Sequence, residues 1–382
     1  MKIRFSVLAI LLFFSSINAQ TIYEEIQSNK LRAARQIKIQ LPRNYEKNIE
    51  KSYPVFVVFD GDYLFEIVAA NVDYYSYWED MPEAIVVGVN QVDTRDEDTY
   101  YSEQNFLPAE TGADFFEFIG MELIPHINDI YRTEGFRIAV GHGETANFIN
   151  YYLFKEKPLF DSYVVLNPDF AENMMVNITE RLGQFESKKF YYLSTASSDK
   201  KSIKENTEEL NKSISSLENN NLIYKFHSFD GATHYSAPAH AIPNAIEHMF
   251  YVYQPISRDE YKTKILSYDG SPTDYLIEKY DSIETLFGLE KQILINDFKA
   301  ISSAIEKNKT FEAYEALSKL ARQHYPETIL GAYYLGRYQE ETGSPKKAMR
   351  TYKGAYILEE IAGITKDEML ERAEAIKADF GY

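Results

Sequence analysis

Phe136-Arg137-Ile138-Ala139-Val140-Gly141-His142-Gly143-Glu144-Thr145-Ala146 is the stretch on which the fold turns. Phe136 to Val140 is a short apolar run, typical of a strand buried on both faces of a parallel sheet. Asn147 to Phe154 reads as a helix. Between them, small residues let strand and helix approach closely. Such a turn lifts one position above the carboxyl edge of the sheet.

The same grammar extends outward in both directions. Ala34 to Leu41 alternates as a strand with one wet face, and Pro42-Arg43-Asn44-Tyr45 breaks it. Val55 to Phe59 and Ala84 to Val89 are further continuous apolar runs. Tyr163 to Leu166, Phe190 to Leu193 and Leu222 to Phe226 are strand candidates. Asp114 to Tyr131, Lys204 to Leu217 and Pro243 to Tyr253 read as helices. Strands alternating with helices imply right-handed crossovers and a mostly parallel sheet covered on both faces, an α/β fold. Ligands of such sheets bind at the carboxyl ends of the strands, so chemistry is expected in the loops after Phe59, Val140, Leu193 and Phe229.

Gly141-His142-Gly143-Glu144-Thr145 sits where an acyl-transfer enzyme carries its nucleophile elbow, Gly-x-Ser-x-Gly. Gly141 fits the first glycine, Gly143 stands at the serine and Thr145 at the second glycine. Asp60-Gly61-Asp62 follows an early strand, where one oxyanion-hole amide belongs. Asp199 follows the strand Phe190 to Leu193, and His234 lies near the end of the domain. Nucleophile, acid and histidine in that order are the α/β-hydrolase order. With Leu41-Pro42-x-x-Tyr45, Tyr53 to Gly61, Ile85 to Val89 with Arg95, Phe115 to Tyr131 with Glu122 and Pro125, and Gly231-x-x-His234, the segment Tyr23 to Tyr253 resembles the esterase D-like family. That family holds siderophore esterases, feruloyl esterases and mycolyltransferase-like proteins. The resemblance implies Gly143 as the nucleophile position, His234 as base, and Asp199 as acid with Glu205 as a substitute. It places the oxyanion hole at the backbone amides of Asp62 and Glu144.

Glycine cannot form an acyl-enzyme. Removing a triad member costs on the order of 10⁴ to 10⁶ in rate. Thr145 should face the helix, and Ser194, Ser197 and Ser198 lack the elbow's strain. A Glu144 carboxylate aimed at the oxyanion site would oppose developing negative charge. His142 reads as structural. His227, His234 and His240 are spaced too irregularly for zinc, and no cofactor or metal is expected.

Beyond Pro255-Ile256-Ser257 the chain turns helical. Tyr334-Leu335-Gly336, Gly343, Ala348, Tyr352 and Ala355 carry tetratricopeptide spacing, in which small residues let two antiparallel helices approach. Ala332 and Gln339 replace the repeat's usual aromatics, so an ordinary helical hairpin is the plainer alternative. A region this short should pack on the sheet domain or on a partner. At the other end, Lys2 and Arg4, the apolar run Phe5 to Phe14 and Ser15 to Gln20 have the layout of a signal peptide cut after Ala19. The expected organisation is a leader over 1–19, an α/β-hydrolase domain over 20–254 and a small all-α tetratricopeptide-like region over 255–382. The protein is expected to be periplasmic or secreted, without a stable membrane anchor. The absence of Cys excludes lipid attachment through a cysteine and a disulfide framework. A net charge of −18 argues against nucleic acid as a partner. Three readings of function follow: a degenerate esterase that binds an ester, siderophore or glycan ligand; an active ester hydrolase using another nucleophile or a His234-held water; and an assembly protein that grips a partner with its C-terminal helices.

Overall fold

The computed structural model describes residues 21–381; the segment read as a leader over 1–19 lies outside them, as do Gln20 and Tyr382. Strands β1 (Ile22–Ser28), β2 (Ala33–Gln40), β3 (Tyr53–Val58), β4 (Ile85–Val89), β5 (Thr133–His142), β6 (Ser162–Leu166), β7 (Lys189–Ser198) and β8 (Leu222–Thr233) form one sheet. Their order is β1-β2-β4-β3-β5-β6-β7-β8. β1 and β2 run antiparallel, and β3 to β8 are parallel.

The apolar runs are continuous because both faces of these strands are buried. Val55, Val57 and Phe59 enter one core with Phe115, Phe118, Phe148, Ile178 and Leu210 from helices on that side. Phe56 and Val58 enter the other, against the helices Phe65–Tyr77 and Ala237–Met249. From β3 the chain steps to β4 on one side and then to β5 on the other. The loops that leave β3 and β5 thus part at a topological switch point, where α/β sheets hold their ligands.

The region read as one helix over Asp114 to Tyr131 is helical from Glu110 to Ile130, with a π turn at Ile119–Leu123. Pro125, just beyond it, removes a ladder donor. The helix read over Pro243 to Tyr253 begins at Ala237 and carries Pro243 inside it.

Six longer helices follow, from Pro272–Phe287 to Lys366–Phe380. The first starts at a capping box of Ser271 and Asp274. Its far end enters the sheet domain: the Phe287 ring lies 5.1 Å from those of both Phe136 and Phe250. In the hairpin Leu330–Glu341/Pro345–Gly354, a Cβ on Gly336 would stand 2.0 Å from Tyr352 Cε1. The Leu-Gly pair is therefore what lets the two helices touch.

Candidate functional site

The elbow is built by backbone constraint. A Cβ on Gly141 would fall 2.6 Å from the Thr145 carbonyl oxygen, so only glycine lets β5 turn directly into the helix Glu144–Ile149. Gly143 is held at φ 63°, ψ −117°, a conformation that costs a side-chain-bearing residue strain. Its N–H donates to the Leu166 carbonyl at 3.0 Å, and its own carbonyl accepts from Asp169 N at 3.1 Å. Thr145 is fully buried and clamps the turn. Its hydroxyl accepts from His142 N at 2.9 Å and donates to Asp60 Oδ2 at 2.6 Å.

Across the sheet edge, Asp199 follows the end of β7 with its side chain wholly buried. Its oxygens accept from Lys200 N at 2.7 Å and Asn167 Nδ2 at 2.5 Å, and lie 3.0 and 3.2 Å from His234 Nδ1. A carboxylate only accepts, so Nδ1 carries the proton. In the neutral ring, Nε2 is then an acceptor. That nitrogen lies 3.5 Å from where a Cβ of residue 143 would stand. Glu205 sits instead on the solvent face of the helix Lys201–Ser215, 3.7 Å from Lys201.

Arg95 completes the floor. Its Nε donates to Asp60 Oδ1 at 2.7 Å, its Nη2 to the His142 carbonyl at 2.9 Å, and its Nη1 to the Glu144 carboxylate. Nη2 also lies 3.4 Å from the residue-143 Cβ position. The Glu144 charge is thereby tied to a guanidinium. Asp62 Oδ2 accepts from Gln91 N at 2.7 Å. Glu144 opens its helix, so its N–H has no intrahelical partner, and among the described residues neither it nor the Asp62 N–H donates within the protein.

His142 lies beneath. Burial, helped by the neighbouring His234, pushes its pKa down to about 4, so the ring is neutral. Nε2 stands 3.1 Å from the His234 carbonyl and Nδ1 2.9 Å from Tyr63 OH. A carbonyl cannot donate, so Nε2 carries the proton, and the Tyr63 hydroxyl faces two acceptors, Nδ1 and Asp60 Oδ2 at 3.0 Å. Of the serines weighed as substitute nucleophiles, Ser194 is buried without a partner and Ser197 Oγ accepts from Gly231 N at 2.8 Å.

The sequence reading assigned no role to Tyr63, Asn167 or Arg95. Arg95 appeared only as a matched position, since no spacing ties residue 95 to residue 60 or 144. Asn167 carried a faint signal, an Asn directly after a buried strand, and it adopts φ 45° there. Among the described residues no group of three His, Cys, Asp or Glu could hold a metal ion. A cavity of about 1150 Å³ lies at the opposite, amino-terminal ends of the strands, between residues 43–52 and 288–294, and touches none of these groups.

Residues 28–146 match the family described as "Putative esterase". No curated protein matches the chain. Among solved structures, an uncharacterised protein from Capnocytophaga ochracea is similar with 30% identity and TM-score 0.87, over 94% of this chain and 100% of that one. An IroE-like serine hydrolase from Shewanella oneidensis is similar with 20% identity and TM-score 0.60, over 80% and 100%. The siderophore hydrolase EstB from Aspergillus nidulans is similar with 16% identity and TM-score 0.50, over 60% and 93%. The match over residues 28–146 is thus to the esterase family, and the sheet order, the elbow turn and these neighbours together show that the chain has the α/β-hydrolase fold.

Proposed function

We propose that this chain is an exported esterase-family protein that has lost acyl-enzyme chemistry and keeps the cleft to bind a ligand, in a binding or regulatory role. One observation carries the reading: a glycine occupies the elbow apex, with the Asp199–His234 pair beside it. Nucleophilic catalysis needs an oxygen or sulfur at that apex, and glycine supplies none. The leader read over 1–19 supports export, and an ester, siderophore or glycan would suit a cleft of esterase descent.

A second reading has its own support. The His234 Nε2 lone pair faces the open space above Gly143, where a water could be deprotonated for direct attack on an ester. The C-terminal helices, with Tyr356 and Ile357 exposed, suit a protein partner.

The test exposes the mature protein to a fluorophosphonate probe and to p-nitrophenyl acetate. The reading expects no covalent label and no turnover beyond that of His234→Ala. A label would reveal another nucleophile. Burst-free turnover that His234→Ala abolishes would favour the held water.

A further inference from the structure

We infer that the space above Gly143 is a recognition site for a neutral hydroxyl group of the ligand, which donates to His234 Nε2 in place of the serine hydroxyl that glycine lacks. The inference rests on the binding reading above and gives it a ligand class.

Three surrounding groups define the chemistry. His234 Nε2, made an acceptor by Asp199 at the other ring nitrogen, calls for a donor. An anionic oxygen would meet that lone pair, with the Asp199 and Glu144 carboxylates also near. A cation would meet the Arg95 guanidinium, whose Nη2 lies 3.4 Å from the same Cβ position. A neutral O–H escapes both objections: it donates to Nε2 and brings no charge against the guanidinium, whose Nη2 hydrogens are already given to Asp60 Oδ2 at 3.2 Å and the His142 carbonyl at 2.9 Å. No side chain at residue 143 stands before Nε2, which lies 3.5 Å from the Cβ position there, so a ligand hydroxyl can approach it. A carbonyl on the same ligand would find donors in the Asp62 and Glu144 amides. The fitting class is a neutral hydroxy ester.

The experiment titrates the full mature protein with methyl glycolate and with methyl methoxyacetate, which replaces the O–H by O–CH₃. Binding is followed by ligand saturation-transfer NMR, and product signals are recorded in the same spectra. The glycolate is expected to bind about tenfold tighter, the worth of one hydrogen bond plus the buried group left unpaired without it. His234→Phe keeps ring volume and removes the acceptor, so it should erase the preference. Gly143→Ala sets a methyl 3.5 Å from Nε2 without supplying a nucleophile and should erase it independently. Equal affinities in the wild type, no binding of either ester, tighter binding of the methoxyacetate, or a preference that survives His234→Phe would each overturn the inference. Release of methanol by the wild type, absent in His234→Ala, would instead refute the loss of chemistry. The affinity ratio would still decide the hydroxyl site.

Discussion

Replacing Gly143 by Ser should create an esterase at a measurable cost in stability. The built Cβ lies 3.5 Å from His234 Nε2 and 3.4 Å from Arg95 Nη2. A C–O bond adds about 1.4 Å of reach, so one rotamer brings Oγ within the roughly 2.6–3.2 Å needed for proton transfer to Nε2. The backbone stays at φ 63°, ψ −117°, which serine adopts at a cost of about 1–3 kcal/mol. That should appear as a fall in Tm of several degrees. A full triad is worth on the order of 10⁶ in kcat, beyond what binding and oxyanion donors supply without it. An untuned site should recover at least ~10³ of it in kcat/KM on p-nitrophenyl acetate. His234→Ala in the same background should return the rate to that of wild type. A Gly143→Ser protein that is folded by circular dichroism, resists fluorophosphonate and turns over no faster than wild type would refute the reasoning. The elbow, dyad and amides would then not be an esterase frame missing one atom group.

Other perturbations probe the parts separately. In the Gly143→Ser background, Asp199→Asn should return most of the gained rate, taking activity back toward that of wild type through loss of the tautomer lock on His234, while Glu205→Gln should leave it unchanged, both read by the same ester assay. His142 has a folded pKa pushed below its ordinary value, to about 4. Its neutral-state stability is complete above about pH 6.5 and is lost as pH falls toward 4, on the order of 3 kcal/mol. A His142→Gln protein should therefore show a flatter urea midpoint between those pH values. Lys291, pushed down by burial to about 8, works in the opposite range: the wild type should gain stability relative to Lys291→Met as pH rises from 8 toward 10.5. Gly336→Ala would set a methyl 2.0 Å from Tyr352 Cε1 and should cost about 1–3 kcal/mol in thermal unfolding.

The strands were legible because burial on both faces writes itself as unbroken Val, Ile and Phe. β1 was not, because Ile22-Tyr23-Glu24-Glu25 is an edge strand whose charges guard its open side and blur any period. The helix Met174–Gly183 was missed for a related reason: its buried Met174, Ile178 and Leu182 are diluted by Asn177, Thr179 and Glu180. At the site, the turn and the Asp-before-His order could be read from local glycines and chain order. The Arg95–Asp60–Glu144 network could not, since its members come from the turn after β3 and from two helix starts that only the sheet order brings together. Nor could sequence fix the tautomers of His142 and His234, which depend on a carbonyl and a carboxylate distant in the chain.

Phe287 makes the two parts of the protein one mechanical object. With its ring wedged among Phe136, Phe190 and Phe250, the helical array is bolted to the sheet rather than tethered to it. Phe287 is 1% exposed, so cutting the chain ahead of the array would bare a greasy socket instead of releasing a tidy module. Anything seized by the outer helices is thereby held at a set bearing and range from Gly143. A cargo on one side and a small ligand on the other would keep station, like two instruments on a single rigid bench.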